Sequence, residues 1–447
     1  MKTLTSFPYK RALVLGLAKS GKAAAELLLD SQISTIVNDY KADESSSEVK
    51  ELKKKGAKIV IGSHPLSLLD GAEVVVKNPG IPYDNVMVKE AIKRKIPVIT
   101  EVELAGFLHE GQMIGITGSN GKTTTTTLLH SFIEADSRRV SIAGNIGEVA
   151  SEVARSTEAE ETMVVELSSF QLMGIEKFRP HIAVWLNLFE AHLDYHGTAR
   201  EYFAAKANIA KNQNSDDYLV YNADDQNIVS FLPSFKSTLV PFSSKKKVDG
   251  GWADENWIYF KNEKIMKRKD IVLVGEHNLA NILAALSAAK LSGVSNQAIY
   301  DVLTTFGGVE HRLEFVTKKD DIYYYNDSKA TNILATSYAL KAFDKPVILL
   351  AGGLDRGNDF DGLVEFLHGV KAMIVFGETA GKMADAGKKA GIAMIQYAET
   401  MAEAVQQARQ AAEFGDVILL SPACASWDQY RTFEERGNKF KEAVHKL

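Results

Sequence analysis

The sequence predicts an α/β protein built on mostly parallel sheets and divided into three sections. Short runs rich in Val, Ile and Leu alternate with amphipathic stretches almost from end to end, the pattern of βα units whose strands are buried on both faces. Polar, glycine-containing turns follow several of these runs, where open α/β sheets place ligand sites beyond the carboxyl ends of their strands. The length, 447 residues, suits about three domains at roughly 150 residues each.

Composition narrows the class. Apolar residues make up 45% and charged residues 24%, which excludes a disordered or collagen-like chain. Lys+Arg 52 against Asp+Glu 57 leaves a net charge of −5, so no global positive field draws the chain to nucleic acid or an anionic membrane, and neither partner is expected. Cys424 is the only cysteine, which rules out an intrachain disulfide, a thiolate metal cage and a paired-thiol redox motif and fits a reducing compartment. The apolar run from Ala12 to Ala18 is short and passes into Lys19-Ser-Gly-Lys22, unlike a signal peptide, and no stretch approaches the ~20 apolar residues of a membrane span. A cytoplasmic protein is therefore expected.

The first section, 1–100, has strands predicted at Ala12 to Gly16, Thr35 to Asn38, Lys58 to Ile61 and Glu73 to Lys77, and closes at Pro97-Val-Ile-Thr100. Gly16-Leu-Ala-Lys-Ser-Gly21 follows the first strand and Asp39 ends the second, a dinucleotide-fold turn in which Ala18 replaces the middle glycine. That replacement disfavours close approach of an NAD pyrophosphate and leaves room for a nucleotide-sugar, with Asp39 accepting bonds from base or ribose. Asn78-Pro-Gly-Ile-Pro82 supplies a second rigid loop, or simply a proline-set turn.

The second section, 101–308, has strands predicted at Met113 to Thr117, Met163 to Leu167, His181 to Leu188 and Tyr218 to Asn222. Ile116-Thr-Gly-Ser-Asn-Gly-Lys-Thr123 stands between the first of these and the helix-compatible run Thr124 to Ile133. Such a turn aims backbone N–H groups inward, the helix start adds partial positive charge, Lys122 can neutralise β- and γ-phosphate oxygens, and the Thr123 hydroxyl can hold Mg2+. Isoleucine at 116 departs from the usual spacing, and Gly118 and Gly121 form the turn instead. ATP binding is the favoured reading. Glu166, at the end of a neighbouring strand, is the hard oxygen ligand a magnesium phosphate site needs. His192 follows another buried-type strand and reads as a metal or phosphate ligand or as a structural histidine, while the His192/His196 spacing lacks the further ligands of a zinc site. Lys206, in Tyr202-Phe-Ala-Ala-Lys206, is by spacing alone indistinguishable from an exposed helical lysine. Pro241 to Arg268, with Trp252, Trp257 and a Lys245 to Lys247 tip, predicts a small β excursion.

The third section, 309–447, opens at His311-Arg312 before a new strand and continues with strands predicted at Val347 to Ala351, Met373 to Phe376 and Val417 to Ser421. Three polar loops stand at strand ends: Asn326-Asp-Ser-Lys-Ala-Thr-Asn332, Gly352-Gly-Leu-Asp-Arg-Gly-Asn-Asp359 and Ser421-Pro-Ala-Cys-Ala-Ser426. Lys329, Thr331, Arg356 and Ser426 offer donors for carboxylate or phosphate, and three such loops predict a binding edge.

Taken together, Thr117 to Thr124, Gly144-Asn-Ile-Gly147, Glu166-Leu-Ser-Ser-Phe-Gln171, His277-Asn-Leu-Ala-Asn281, His311-Arg312, Asp327 to Asn332 and Leu420 to Ser426 resemble the ATP-dependent Mur ligases over nearly the whole chain. Within that family, Glu166 to Leu172 and the terminal Ser426-Trp-Asp-Gln-Tyr-Arg-Thr-Phe-Glu-Glu-Arg-Gly437 are most similar to the members that add D-glutamate to UDP-N-acetylmuramoyl-L-alanine. The resemblance implies an N-terminal Rossmann-like domain for the UDP moiety, a central P-loop ATPase-like domain and a C-terminal Rossmann-like domain for the amino acid.

By the same transfer, Gly118, Ser119, Asn120, Gly121, Lys122, Thr123 and Thr124 meet the ATP phosphates, and Asn278, Asn281, Arg312 and Asp327 the rest of the nucleotide. Gly16, Ala18, Lys19, Ser20, Asp39, Tyr40, Asn78, Gly80 and Asn145 hold the UDP-sugar, and Lys329, Thr331, Arg356, Ser426 and Phe433 the D-glutamate. Thr123 and Glu166 are implied ligands of a first Mg2+, His192 and a carbamylated Lys206 of a second, so Lys122, Glu166, His192 and Lys206 form the implied catalytic set. Arg356 stands where some relatives carry a lysine, and a planar guanidinium meets a carboxylate differently.

The implied reaction phosphorylates the L-alanine carboxylate and then displaces phosphate with the D-glutamate amine, with closure of the C-terminal domain excluding water. A monomer is expected. The competing readings are a sister ligase or folylpolyglutamate synthetase, a nucleotide switch that ligates nothing, and an NAD-dependent dehydrogenase. A separate first section counts against the synthetase, the three polar loops against the switch, and Ala18 against the dehydrogenase.

Overall fold

A computed structural model describes all residues, 1–447, and divides them into two compact units, Met1–Arg268 with Ala280–Val302, and Lys269–Leu279 with Leu303–Leu447. No helix is long and apolar enough to cross a membrane.

The first unit carries two sheets. Strands β1 (Arg11–Leu15), β2 (Ser34–Asp39), β3 (Lys58–Ile61), β4 (Val74–Lys77) and β5 (Val98–Ile99) pair in the order β3-β2-β1-β4-β5, all parallel. Alternate residues of β1 serve opposite faces: Ala12 and Val14 enter one core with Leu27 and Leu28, and Leu13 and Leu15 another with Met87 and Val88. That two-sided burial is why the strand reads as an unbroken apolar run.

The second sheet contains β6 (Met113–Thr117), β7 (Val140–Gly144), β8 (Thr162–Glu166), β9 (Ile182–Trp185), β10 (Tyr218–Asn222), β11 (Thr238–Ser243), β12 (Gly251–Ala253), β13 (Trp257–Phe260) and β14 (Glu263–Lys267), in the order β14-β13-β12-β11-β10-β9-β6-β8-β7. Strands β6 to β12 pair in parallel and β12 to β14 antiparallel. The β excursion is thus an extension of the main sheet, fastened by Trp252 and Tyr259 stacked at 4.0 Å. Strand β6 lies between β8 and β9, a switch point at which the chain leaves in opposite directions and opens a crevice at the strand ends.

These two sheets are joined through one continuous core and through buried polar bonds. Thr100 Oγ1 donates to Gln171 O at 2.7 Å, and the Glu103 carboxylate accepts the backbone N–H groups of Glu176, Lys177 and Phe178. These bonds tie the end of the first sheet and the helix that follows it to the second sheet.

The second unit is one sheet of β15 (Glu314–Lys319), β16 (Ile322–Asn326), β17 (Val347–Gly352), β18 (Val370–Phe376), β19 (Met394–Tyr397) and β20 (Val417–Leu420), in the order β15-β16-β20-β17-β18-β19. Only β15 runs antiparallel to its neighbour. The strands that precede the three polar loops, β16, β20 and β17, are adjacent at its centre.

Candidate active site

The turn after β6 is held open by glycine. Gly121 has φ +83° and heads the helix Lys122–Ala135; a Cβ there would collide with Asn281 Oδ1. A Cβ on Gly118 would come within 2.9 Å of Leu186 Cβ. The turn is braced by Asn187, whose Oδ1 accepts from Asn120 N at 2.8 Å, and by Ser119 Oγ, which donates to Phe189 O at 3.0 Å. The result is a helix start with its N–H groups directed at the crevice, an anion site by geometry. Lys122 Nζ donates back to Gly118 O at 2.9 Å and Ser119 O at 3.2 Å, so the ammonium stays within the same turn. Thr124 continues the first helical turn.

Glu166 ends β8 beside this turn, 2% exposed, and its two oxygens are divided between neighbours. Oε2 accepts from Thr123 Oγ1 at 3.0 Å and Oε1 from Asn145 Nδ2 at 2.8 Å. Two sequence-predicted residues, Thr123 and Asn145, thus meet at the carboxylate of a third. This donor set fits Mg2+, which takes one or two protein oxygens and leaves its other positions to phosphate and water. No group of three His, Cys, Asp or Glu side chains gathers as a metal cage.

Lys206 lies on the helix Ala199–Ala207, 2% exposed, and its Nζ donates to Gly118 O at 2.8 Å and sits 4.9 Å above the Tyr202 ring. Burial pulls its amine well below the usual lysine range, Lys122 adds to this, and Glu166 opposes it. The structure therefore removes the exposed-lysine reading. His192 is exposed, with φ +54°, and begins the short helix Leu193–His196. Its ring packs against Phe170 at 5.1 Å, whereas His196 turns inward, is held by Ser169 Oγ at 3.0 Å and is pushed down to about 4 by burial, with His192 and Lys206 adding to the effect. The two histidines thus have different surroundings.

In the first sheet, Gly16 has φ +90°, and Gly21 abuts its carbonyl so closely that no side chain fits. Ala18 caps the helix Lys19–Asp30, and Lys19 Nζ donates to Gly147 O at 3.0 Å, across to the second sheet. Ser20 Oγ accepts from Asn78 Nδ2 at 3.0 Å, and Gly80 N donates to Asn78 Oδ1 at 3.1 Å. Asp39 holds the turn: Oδ2 accepts from Leu17 N at 2.6 Å and Oδ1 from Lys41 N and Ala42 N. Tyr40 is exposed beside His64.

In the second unit, Asn278 Nδ2 donates to Val274 O at 2.7 Å. Asp327 accepts from Leu313 N and Ser421 Oγ and is pushed up to about 7 by burial; Arg312 opposes that shift only weakly. Lys329 Nζ lies 5.1 Å over the Phe433 ring, Phe433 O accepts from Ser328 Oγ, and Thr331 follows on the same loop. Arg356 is exposed, its guanidinium 4.9 Å over Trp427. Ser426 is 2% exposed and its Oγ has no partner, a donor left for a ligand. Arg436, which the motifs contained without distinguishing it, unites these loops: fully buried, it donates to Ser328 Oγ, Ser328 O and Cys424 O at 3.0, 2.8 and 3.0 Å and abuts Gly353. Lys77, Tyr195 and Asn187, which the sequence did not single out, bond the loops around these turns; a lysine closing a buried strand was the available signal for the first.

Family models describing a MurD-like N-terminal domain, a Mur ligase middle domain and a Mur ligase glutamate ligase domain match residues 10–100, 116–289 and 311–424. The chain is 57% identical to UDP-N-acetylmuramoylalanine--D-glutamate ligase of Oceanobacillus iheyensis and 55% identical to that of Geobacillus kaustophilus, with 100% of both chains covered in each comparison. Among solved structures, MurF of Acinetobacter baumannii aligns with TM-score 0.60 at 17% identity, covering 98% of this chain and 95% of that one. UDP-N-acetylmuramate-alanine ligase of Thermotoga maritima aligns with TM-score 0.56 at 17% identity, covering 98% and 99%, so the fold is shared.

Proposed function

Because the chain belongs to the Mur ligase family, we propose that it joins D-glutamate to UDP-N-acetylmuramoyl-L-alanine with hydrolysis of ATP, a step in making the peptidoglycan precursor. The observation that carries the chemistry is the meeting, at one sheet edge, of the Gly118–Thr124 turn, the Thr123–Glu166–Asn145 cluster and the buried Lys206. In this reading residues 1–100 take the UDP moiety, 101–308 ATP and 309–447 the amino acid, in a cytoplasmic, monomeric enzyme.

A carboxylate oxygen of the L-alanine attacks the γ-phosphorus of ATP and ADP leaves; the D-glutamate amine then attacks the acyl carbon of the resulting acyl phosphate, and phosphate leaves. The obstacle to the first step is repulsion between two anions, so charge neutralisation and alignment are what the protein must supply. The helix start at Lys122 and the turn's N–H groups bind the triphosphate, and the Lys122 ammonium, held within the same turn, neutralises its outer oxygens. Asn145 and the Gly16 turn orient the muramoyl substrate. Lys329, Thr331, Arg356 and Ser426 hold the carboxylates of D-glutamate, and Phe433 forms the apolar wall beside Lys329.

Thr123 and Glu166 would hold one Mg2+, and His192 with Lys206 a second, supplying positive charge at the phosphate oxygens. Lys206 suits that role only as an anion. Burial that lowers its amine favours the neutral form able to add CO2, and a carbamate there would be an oxygen ligand at the wall of the phosphate turn. Phosphate release with ATP, UDP-N-acetylmuramoyl-L-alanine and either D- or L-glutamate tests the assignment. Release that requires the nucleotide-sugar and the D-isomer together is expected, and release without either refutes it.

A further inference from the structure

Lys77 is a buried lysine with no carboxylate beside it, its amine pulled down to about 7 by burial. It closes β4, is 1% exposed, and its Nζ lies 2.9 Å from Ile81 O, 3.2 Å from Pro79 O and 3.2 Å from Tyr195 Oη. Tyr195 Oη itself reaches the same two carbonyls, at 2.9 and 3.2 Å, and the Tyr83 ring covers the amine at 4.8 Å. A lysine amine in the interior is costly unless its donors are used. Here they are all directed at one loop and one tyrosine.

That loop and that tyrosine come from different sheets of the first unit. The loop Asn78–Pro82 packs on the nucleotide-sugar turn: Ile81 and Asn78 fill the space a Gly16 Cβ would need, and Asn78 bonds Ser20. Tyr195 belongs to the helix headed by His192, and its ring meets Phe170 at 4.5 Å, which in turn packs against His192. Within the loop itself the bonds are local, Ile81 N to Asn78 O and Gly80 N to Asn78 Oδ1. They shape the turn without fixing its height over the second sheet.

We infer that Lys77 is a positioning residue which, with Tyr195, locks the Asn78–Pro82 loop to the His192 helix and so sets where the nucleotide-sugar sits relative to the phosphate turn. The inference rests on the reading of that loop as part of the UDP-sugar site. Lys77→Met keeps the length and apolar stem of the side chain and deletes its donors. It is expected to raise KM for UDP-N-acetylmuramoyl-L-alanine about tenfold, the scale of one or two lost buried hydrogen bonds, with KM for ATP and D-glutamate unmoved. Tyr195→Phe removes one hydroxyl and should raise the same KM about threefold, and the double variant should fall short of the product because both groups serve the same carbonyls.

An unchanged KM for the nucleotide-sugar in Lys77→Met overturns the inference. So does a shift of all three KM values together with lost thermal stability, the mark of a merely structural lysine. If Lys77→Met does not fold, Tyr195→Phe decides alone, and an unmoved KM there is equally fatal. Asn78→Ala separates the two layers: a raised KM in it beside an unmoved one in Lys77→Met removes the lock and leaves the loop's role, whereas unmoved values in both remove the loop's role as well.

Discussion

Replacing Lys206 separates what its amine does for catalysis from what it costs the fold. The side chain is 2% exposed and makes one hydrogen bond, to Gly118 O at 2.8 Å, with the Tyr202 ring on one side. One such bond stabilises by only about 0.5–1.5 kcal/mol, against the penalty of keeping an amine out of water, so Lys206→Met should leave stability within about 1 kcal/mol or raise it. The sign of its pH dependence follows from the depressed amine. Between its folded value and the ordinary 10.5 the unfolded chain binds more protons, so stability rises with pH across that window, and the methionine variant loses this slope.

Activity should move the other way. Losing one preorganised charge at a phosphoryl-transfer site costs roughly 10²–10³ in kcat. Lys206→Ala leaves a space beside Gly118 O and Tyr202 that formate or acetate can enter, and added carboxylate should restore part of the lost rate. The assays are coupled phosphate release, with and without carboxylate and in buffers with and without bicarbonate, and thermal melts in bicarbonate-free buffer. Retention of activity within about twofold in Lys206→Ala would show that the residue takes no part, an outcome incompatible with the estimate above. Loss without carboxylate rescue, together with indifference to bicarbonate, would refute the carbamate and leave the amine itself as the working group.

Three further outcomes can be checked. Gly121→Ala combines a left-handed φ of +83° with a collision at Asn281, and should cost about 1–3 kcal/mol in thermal unfolding and raise KM for ATP at least about tenfold. Arg436→Met strands the carbonyls of Ser328 and Cys424 and should destabilise the second unit by about 2–4 kcal/mol while raising KM for D-glutamate and leaving KM for ATP unchanged. Asp327, held up to about 7 from 3.8, binds more protons folded than unfolded, so its contribution weakens the fold as pH rises from about 4 to 7, by at most ~4 kcal/mol; Asp327→Asn should flatten that part of the stability profile in denaturant titrations.

The strands most legible in the sequence are those written as unbroken apolar runs, whether fully buried like β6 or half-buried at an edge like β3. Lys58 to Ile61, Met113 to Thr117 and Tyr218 to Asn222 coincide with β3, β6 and β10. β7 and β19 escaped the reading because polar residues interrupt them, Ser141 in β7 and Gln396 in β19, so neither shows an unbroken apolar run. His181 to Leu188 overran β9 because Leu186 and Leu188 stay buried after the ladder ends, Leu188 N being taken up by Asp225. Periodicity reports burial, and burial outlasts the strand.

Of the site, the phosphate turn and Glu166 were readable since their chemistry is local to a strand end. Lys206, His196 and Lys77 were not. Their character depends on what approaches from tens or hundreds of residues away: Gly118 over Lys206, Ser169 over His196, Tyr195 over Lys77. A spacing rule contains no such information. The resemblance implies a part for Lys206, whereas Lys77 stands out only once the fold brings Tyr195 and the Asn78–Pro82 loop against it.

The loops of the second unit leave three neighbouring central strands, β16, β20 and β17, yet begin nearly a hundred residues apart in the chain at the extremes, Asn326 and Ser421. Each tip can therefore be exchanged by a short graft while the ladder beneath keeps its register. A sister enzyme that accepts a different amino acid has no need of a different scaffold, and a chimera carrying foreign tips with Arg436 and Gly353 retained is where altered acceptor choice should first be sought.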